Sequence, residues 1–142
     1  MSTSTTFPAS VAPPRCRVLV VDDDDDCRDM LSELLDVHGF HVRSAFNGKA
    51  ALEEASAFRP EVILVDLGMP VMDGYEFAKA VRQDAVLNRT FIAAISGWGT
   101  PQDREKSAKA GINLHFVKPV DLSTLLALLG NLAKTKGLRI RA

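Results

Sequence analysis

The sequence predicts a doubly wound α/β domain, a five-stranded parallel sheet covered by five helices. Three observations predict it. Short apolar runs rich in Val and Ile, at 18–21, 62–65, 91–95 and 116–117, have the character of buried parallel strands. Helical spacing of apolar residues fills the stretches between them. Each run also stops on a residue able to handle phosphate or a cation: Asp22 and Asp23, Asp66, Ser96, and Lys118. In open α/β sheets the ligand site lies outside the carboxyl ends of the strands, so the fold gathers three carboxylates, one hydroxyl and one ammonium into one pocket.

The elements follow in order. Arg17–Val21 reads as the first strand. Met30, Leu31, Leu34 and Leu35 stand at helical spacing after it, and Gly39 is a natural stop. His41–Ala45 is a weaker second strand, and Gly48–Phe58 is a helix with Ala51, Leu52, Ala55 and Phe58 inward. Val62–Val65 is the third strand, followed by a helix over Gly74–Gln83 buried through Phe77 and Val81. Phe91–Ile95 is the fourth strand. Thr100 is a good N-cap with Pro101 at the first helical position, and that fourth helix ends at Gly111. Its apolar content is little more than Ala108 and Ala110, which predicts shallow burial and comparative mobility. Leu114–Val117 is the fifth strand, and Leu122, Leu125, Leu126, Leu129 and Leu132 form the stripe of the fifth helix. Parallel crossovers of the right hand then wind the helices onto both faces.

Composition sets the outer limits. A chain of 142 residues suits one domain with one core. An apolar share of 46% with 25% charged residues is ordinary for a soluble protein. The net charge of −1 argues against a nucleic-acid surface, which needs a basic excess. No apolar stretch approaches the ~18 residues of a membrane span. Residues 1–15 lack periodicity and are expected as a flexible N-terminal tail, without the basic and apolar regions of a secretory signal. The domain is expected over 16–133, with 134–142 a basic, unpatterned C-terminal tail. Cys16 and Cys27 lack CxxC spacing and read as reduced thiols of a cytoplasmic protein.

The run Asp22–Asp26 fails as an EF-hand loop: counting Asp22 as its first position, Cys27 stands where glycine is required. Its first two members end a buried strand and face the site, whereas the later ones cap the first helix at its positive end. Carboxylates converging on one pocket repel unless a cation intervenes. A hard divalent ion with oxygen ligands resolves the conflict, and Mg²⁺ fits because it needs only one or two carboxylates, a carbonyl and waters.

Four motifs in order, VLVVDD, PEVILVDLGMPVMDG, AISG and FVKPV, resemble the receiver domain of two-component response regulators over roughly residues 16–132. The resemblance implies a flavodoxin-like receiver topology. It implies that Asp66 accepts a phosphoryl group from the histidine of a kinase or a histidine phosphotransfer protein, so that the chain is a phosphoacceptor promoting its own phosphorylation and dephosphorylation rather than a conventional enzyme. Asp22 and Asp23 would hold Mg²⁺ together with Asp66 and the Gly68 carbonyl. Lys118 and Ser96 would bond phosphoryl oxygens, the Lys118–Pro119 bond would be cis, and the fourth helix and fifth strand would signal to a downstream protein. Neither nucleic acid nor membrane is an expected partner.

Some positions depart from the commonest pattern. His115 stands where the family usually has an aromatic residue, and reads either as a polar residue at the strand edge or as part of the switch. Gly68 leaves room for a hydrolytic water, and Trp98 is placed where it could cover that water. The stretch GWGTPQDREKSAKAG with HFVKPVDLSTLLALL resembles receivers of hybrid histidine kinases, while Met1 and the tail favour a stand-alone receiver. Three rivals are weighed. A nucleotide-binding module lacks GxxxxGKS/T, and Gly97-Trp98-Gly99 lacks the remaining glycine of a dinucleotide loop. A haloacid-dehalogenase-like Mg²⁺ phosphatase needs a second aspartate where Gly68 stands, and a receiver-like module that binds a partner without phosphorylation would not need the intact quintet of Asp22, Asp23, Asp66, Ser96 and Lys118.

Overall fold

A computed structural model describes residues 15–69 and 72–140. Strands β1 (Arg17–Val21), β2 (His41–Ala45), β3 (Val62–Asp66), β4 (Phe91–Ser96) and β5 (Leu114–Val117) form one sheet in the order β2-β1-β3-β4-β5, with every pairing parallel. Between and after them run α1 (Asp25–Val37), α2 (Gly48–Phe58), α3 (Gly74–Gln83), α4 (Pro101–Lys109) and α5 (Leu122–Thr135). The doubly wound parallel fold expected from the sequence is the observed one.

Strand side chains alternate, and the alternation divides the core in two. Leu19, Val21, Ile63, Val65, Ile92 and Ala94 face α2 and α3, where Ala51, Ala55, Phe77 and Val81 cover them. Val18, Val20, Val62, Leu64, Ala93 and Ile95 face the other way, onto Leu35 of α1 and Leu125, Leu129 and Ala133 of α5. Each fully buried Val, Leu, Ile or Phe contributes about 1.5–3 kcal/mol, so the central strands hold the sheet rigid.

The helix ends carry the capping chemistry that their residues suggest. Asp24, Asn47 and Asp121 accept backbone N–H groups at the starts of α1, α2 and α5. Asp73 with Glu76, and Thr100 with Asp103, form capping boxes on α3 and α4. Gly39 and Gly111 take positive φ, 95° and 89°, just past α1 and α4, where a side chain would be strained.

Four expectations need correction. Met30 points outward from α1, 58% exposed, and Leu122 is exposed at the start of α5. In α4 the buried residue is Ser107, while Ala108 is exposed, because a polar partner lies beneath the helix. Residues 134–140 do not form a separate tail: α5 continues through Thr135, Arg139 bridges to Arg15, and Leu138 and Ile140 pack on the α1/α5 side of the core. Their apolar side chains stand only two apart, too sparse to register as a pattern. Arg15, counted within the N-terminal tail, bonds the carbonyls of Gly39 and Phe40; residues 1–14 of that tail lie outside the described residues.

Candidate functional site

Because β1, β3, β4 and β5 are successive neighbours, the residues at their carboxyl ends stand side by side. Asp22 follows β1, Asp66 ends β3, Ser96 ends β4 and Lys118 follows β5. One oxygen from each of Asp22, Asp23 and Asp66 falls within 4.8 Å of the others. Lys118 Nζ lies 3.5 Å from Asp66 Oδ2. The sheet has thus brought together the carboxylates and the ammonium that the sequence singled out.

Local bonds orient each group. Asp22 Oδ1 accepts the Asp24 N–H at 2.9 Å, and the Asp22 carbonyl accepts from Arg28 Nη1 at 2.9 Å. Asp66 Oδ1 accepts the Gly68 N–H at 3.0 Å, which turns the chain sharply after β3. Gly74 sits so close under that turn that an added Cβ would fall 2.8 Å from the Asp66 carbonyl oxygen. Ser96 is buried, and its Oγ accepts the Trp98 N–H at 2.9 Å, so the hydroxyl is engaged within its own loop. The Lys118–Pro119 bond is cis.

The pocket's charge is unbalanced. Burial pushes the Asp22 carboxyl up to about 6, and the neighbouring Asp66 charge adds to it against the Asp24 N–H and Lys118. Burial acts to lower the Lys118 ammonium, but the Asp66 and Asp22 charges overcome it and raise it above an ordinary lysine. Burial, with Asp24 and Asp22, likewise raises the Cys27 thiol, which is therefore no ready nucleophile. Three convergent carboxylates against one ammonium, one of them holding a proton unusually tightly, form an all-oxygen donor set suited to a hard divalent cation.

Two features escaped the sequence reading. A groove of about 480 Å³ opens beside the acidic pocket between α1 and the start of α5, floored by Met30, Leu31, Pro119, Val120 and Leu122. Met30 sits on the same helical stripe as true core residues, and a flexible methionine next to an acidic cluster was the only available hint of a binding face. The second is a chain of bonds under α4. His115, buried on β5, contacts Ser107 Oγ through Nδ1 at 2.8 Å and the Trp98 carbonyl through Nε2 at 2.7 Å.

Comparison with known proteins gives a consistent result. Residues 18–130 match the response regulator receiver domain family. The chain is 37% identical over 121 residues to the transcriptional regulatory protein PrrA of Mycobacterium leprae, covering 85% of this chain and 51% of that protein. It therefore spans about half the length of that relative. It is 29% identical over 109 residues to sporulation initiation phosphotransferase F of Bacillus subtilis, covering 77% of this chain and 86% of that one. A crystal structure of the chemotaxis protein CheY4 of Vibrio cholerae is similar with a TM-score of 0.79 and 36% identity, covering 83% of this chain and 98% of that chain.

Proposed function

Since the chain belongs to the response regulator receiver domain family, a signalling module of two-component systems, we propose that Asp66 is its phosphoacceptor. The observation that carries this reading is the meeting of Asp22, Asp23, Asp66 and Lys118 at adjacent strand ends, with Lys118 Nζ 3.5 Å from the Asp66 carboxylate. In the reaction, a carboxylate oxygen of Asp66 forms a bond to phosphorus while the P–N bond of a phosphohistidine breaks and its electron pair returns to the imidazole.

Phosphoryl transfer demands positioning and neutralisation of charge on the equatorial oxygens more than covalent chemistry by the protein. The Gly68 N–H holds Asp66 Oδ1, which fixes the carboxylate's orientation. Lys118 supplies a permanent positive charge beside it, and its raised proton affinity keeps it an ammonium. Asp22, Asp23, Asp66 and the Gly68 carbonyl would hold Mg²⁺. That ion, when bound, neutralises charge on the transferred group. Ser96, released from the Trp98 N–H, would donate to a phosphoryl oxygen. That rearrangement shifts the loop 97–99 and α4, whose only buried residue is Ser107, altering the surface of α4 and β5 offered to a downstream protein.

The apolar groove, lined at its polar end by Asp22 and Lys118 and followed in sequence by the exposed carboxylates Asp23–Asp26, favours a donor with an apolar helix face and basic flanks. The phosphatase alternative finds no acid–base group at Gly68, which supports phosphoacceptance over turnover of a free substrate.

The test is intact mass after incubation with Mg²⁺ and acetyl phosphate, with Asp66→Asn alongside. One phosphoryl group on the wild type, absent from the variant and absent without Mg²⁺, is the expected result. No adduct under rapid quenching would leave partner binding without phosphorylation as the reading to pursue.

A further inference from the structure

Trp98 is held at three places. Its N–H donates to Ser96 Oγ, its carbonyl accepts from His115 Nε2, and the benzo edge of its indole lies over Gly68. The point where a side chain on Gly68 would begin is 3.6 Å from Asp66 Oδ1 and 3.6 Å from Trp98 Cη2. The indole edge therefore borders the open approach to the Asp66 carboxylate that the missing Gly68 side chain leaves.

The ring itself is 58% exposed, so no apolar pocket holds it. Its place depends on the loop backbone. A carbonyl oxygen can only accept, so His115 Nε2 carries the proton in that bond, while Nδ1 meets the Ser107 hydroxyl on the other side of the ring. Arg104 of α4 reinforces the arrangement, bonding the carbonyls of Gly99 and His115 at 3.3 Å each. The indole, β5 and α4 are thus linked through one buried imidazole.

Resting on the reading of Asp66 as phosphoacceptor, we propose that His115 is a positioning residue that keeps the Trp98 indole over Gly68 and thereby slows hydrolysis of the Asp66 phosphoryl group. In that hydrolysis the oxygen of water bonds to phosphorus, the bond from phosphorus to the Asp66 oxygen breaks, its electron pair restores the carboxylate, and both water protons leave on dihydrogen phosphate. The indole acts only by excluding the water. Because Ser107 ties the same imidazole to α4, any partner that displaces α4 also changes the lifetime of the phosphoryl group.

Trp98 is the chain's single tryptophan, so its fluorescence reports the ring directly. In unphosphorylated protein, His115→Phe should raise acrylamide quenching of that fluorescence. After labelling with acetyl phosphate and Mg²⁺ and removal of the donor, intact mass should show His115→Phe losing its label about fivefold faster, the change that one net hydrogen bond carries. His115→Gln, whose amide N–H can replace Nε2–H, should return both readouts toward wild type. Trp98→Ala should lose label fastest, with His115→Phe adding nothing in the double variant. Should His115→Phe fail to fold by circular dichroism, Ser107→Ala, which removes the hydroxyl that meets His115 Nδ1 and Tyr75, should show smaller changes in the same direction. Wild-type quenching in His115→Phe, or wild-type label loss in both His115→Phe and Trp98→Ala, would overturn the proposal. If the wild type takes no label, the phosphoacceptor reading fails instead, and the quenching arm still decides whether His115 holds the indole.

Discussion

Two charged clusters stand at opposite ends of the sheet. At the carboxyl ends, Asp22, Asp23 and Asp66 crowd within 4.8 Å, with Lys118 as their cation. At the amino ends the Arg82 guanidinium is spread over neutral acceptors. It donates to the carbonyls of Gly111 (2.8 Å), Asn88 (3.0 Å) and Thr90 (2.6 Å), and to Asn113 Oδ1 (2.7 Å). Asn113 Oδ1 also accepts the Ile92 N–H, so the arginine ties α3 to the first residues of β4 and to the turn before β5. Burial lowers the proton affinity of Arg82, but its bonds are made and nothing further is called for. The acidic end has charge left over. A finished polar cluster is architecture, whereas an unfinished one is a site awaiting a ligand.

That contrast is broken most directly by Asp66→Asn, which should abolish labelling by acetyl phosphate, as intact mass reads, while circular dichroism stays that of the wild type. Arg82→Met should do the reverse. It should cost about 2–3 kcal/mol in urea unfolding, since four acceptors lose a charged donor, yet leave labelling of the folded protein at full stoichiometry. A loss of labelling in folded Arg82→Met would show that the two ends are not independent. Met30→Asp sharpens the boundary between the site and its groove. It should slow transfer from a phosphohistidine protein about tenfold, roughly 1.4 kcal/mol, and leave labelling by acetyl phosphate unchanged.

The smallest effect concerns Asp22. Its carboxyl rises to about 6 in the folded protein from an ordinary 3.8, so between roughly pH 4 and 6 the folded state binds more protons than the unfolded chain. Stability of the metal-free protein therefore falls as pH rises through that window, and the penalty is complete above it. Thermal melts should show Mg²⁺ raising Tm more at pH 7.5 than at pH 5. Asp22→Asn should melt a few degrees higher than wild type in chelator at pH 7.5 and lose most of the response to Mg²⁺.

The acidic end was legible in the sequence because it rests on one-dimensional rules. A buried strand must be apolar along its length, so the residue that ends the run, Asp66 or Lys118, announces itself. The arginine end was not legible. Three of the four acceptors of Arg82 are backbone carbonyls, which every residue carries, and its partners come from two separate loops. Helix α4 was legible only in part. It is shallowly buried, as its scarce apolar content suggested, but the residue that faces inward is a serine because His115 supplies a matching nitrogen, and a polar anchor leaves no trace in a hydrophobic pattern. Met30 and Leu122 erred in the opposite direction, since apolar spacing does not distinguish a residue packed inside from one left bare at the surface.

The strand order carries one more consequence. Asp22 leaves the first strand and Lys118 leaves the last, and β3 with Asp66 lies between them. During synthesis the lysine emerges from the ribosome long after the aspartates, and it can reach Asp66 only once β5 has closed on β4. A nascent, clipped or half-unfolded chain would lack the counter-charge of its acidic cluster. On the reading of Asp66 as phosphoacceptor, competence to be phosphorylated would therefore require β5 in place as well as β3.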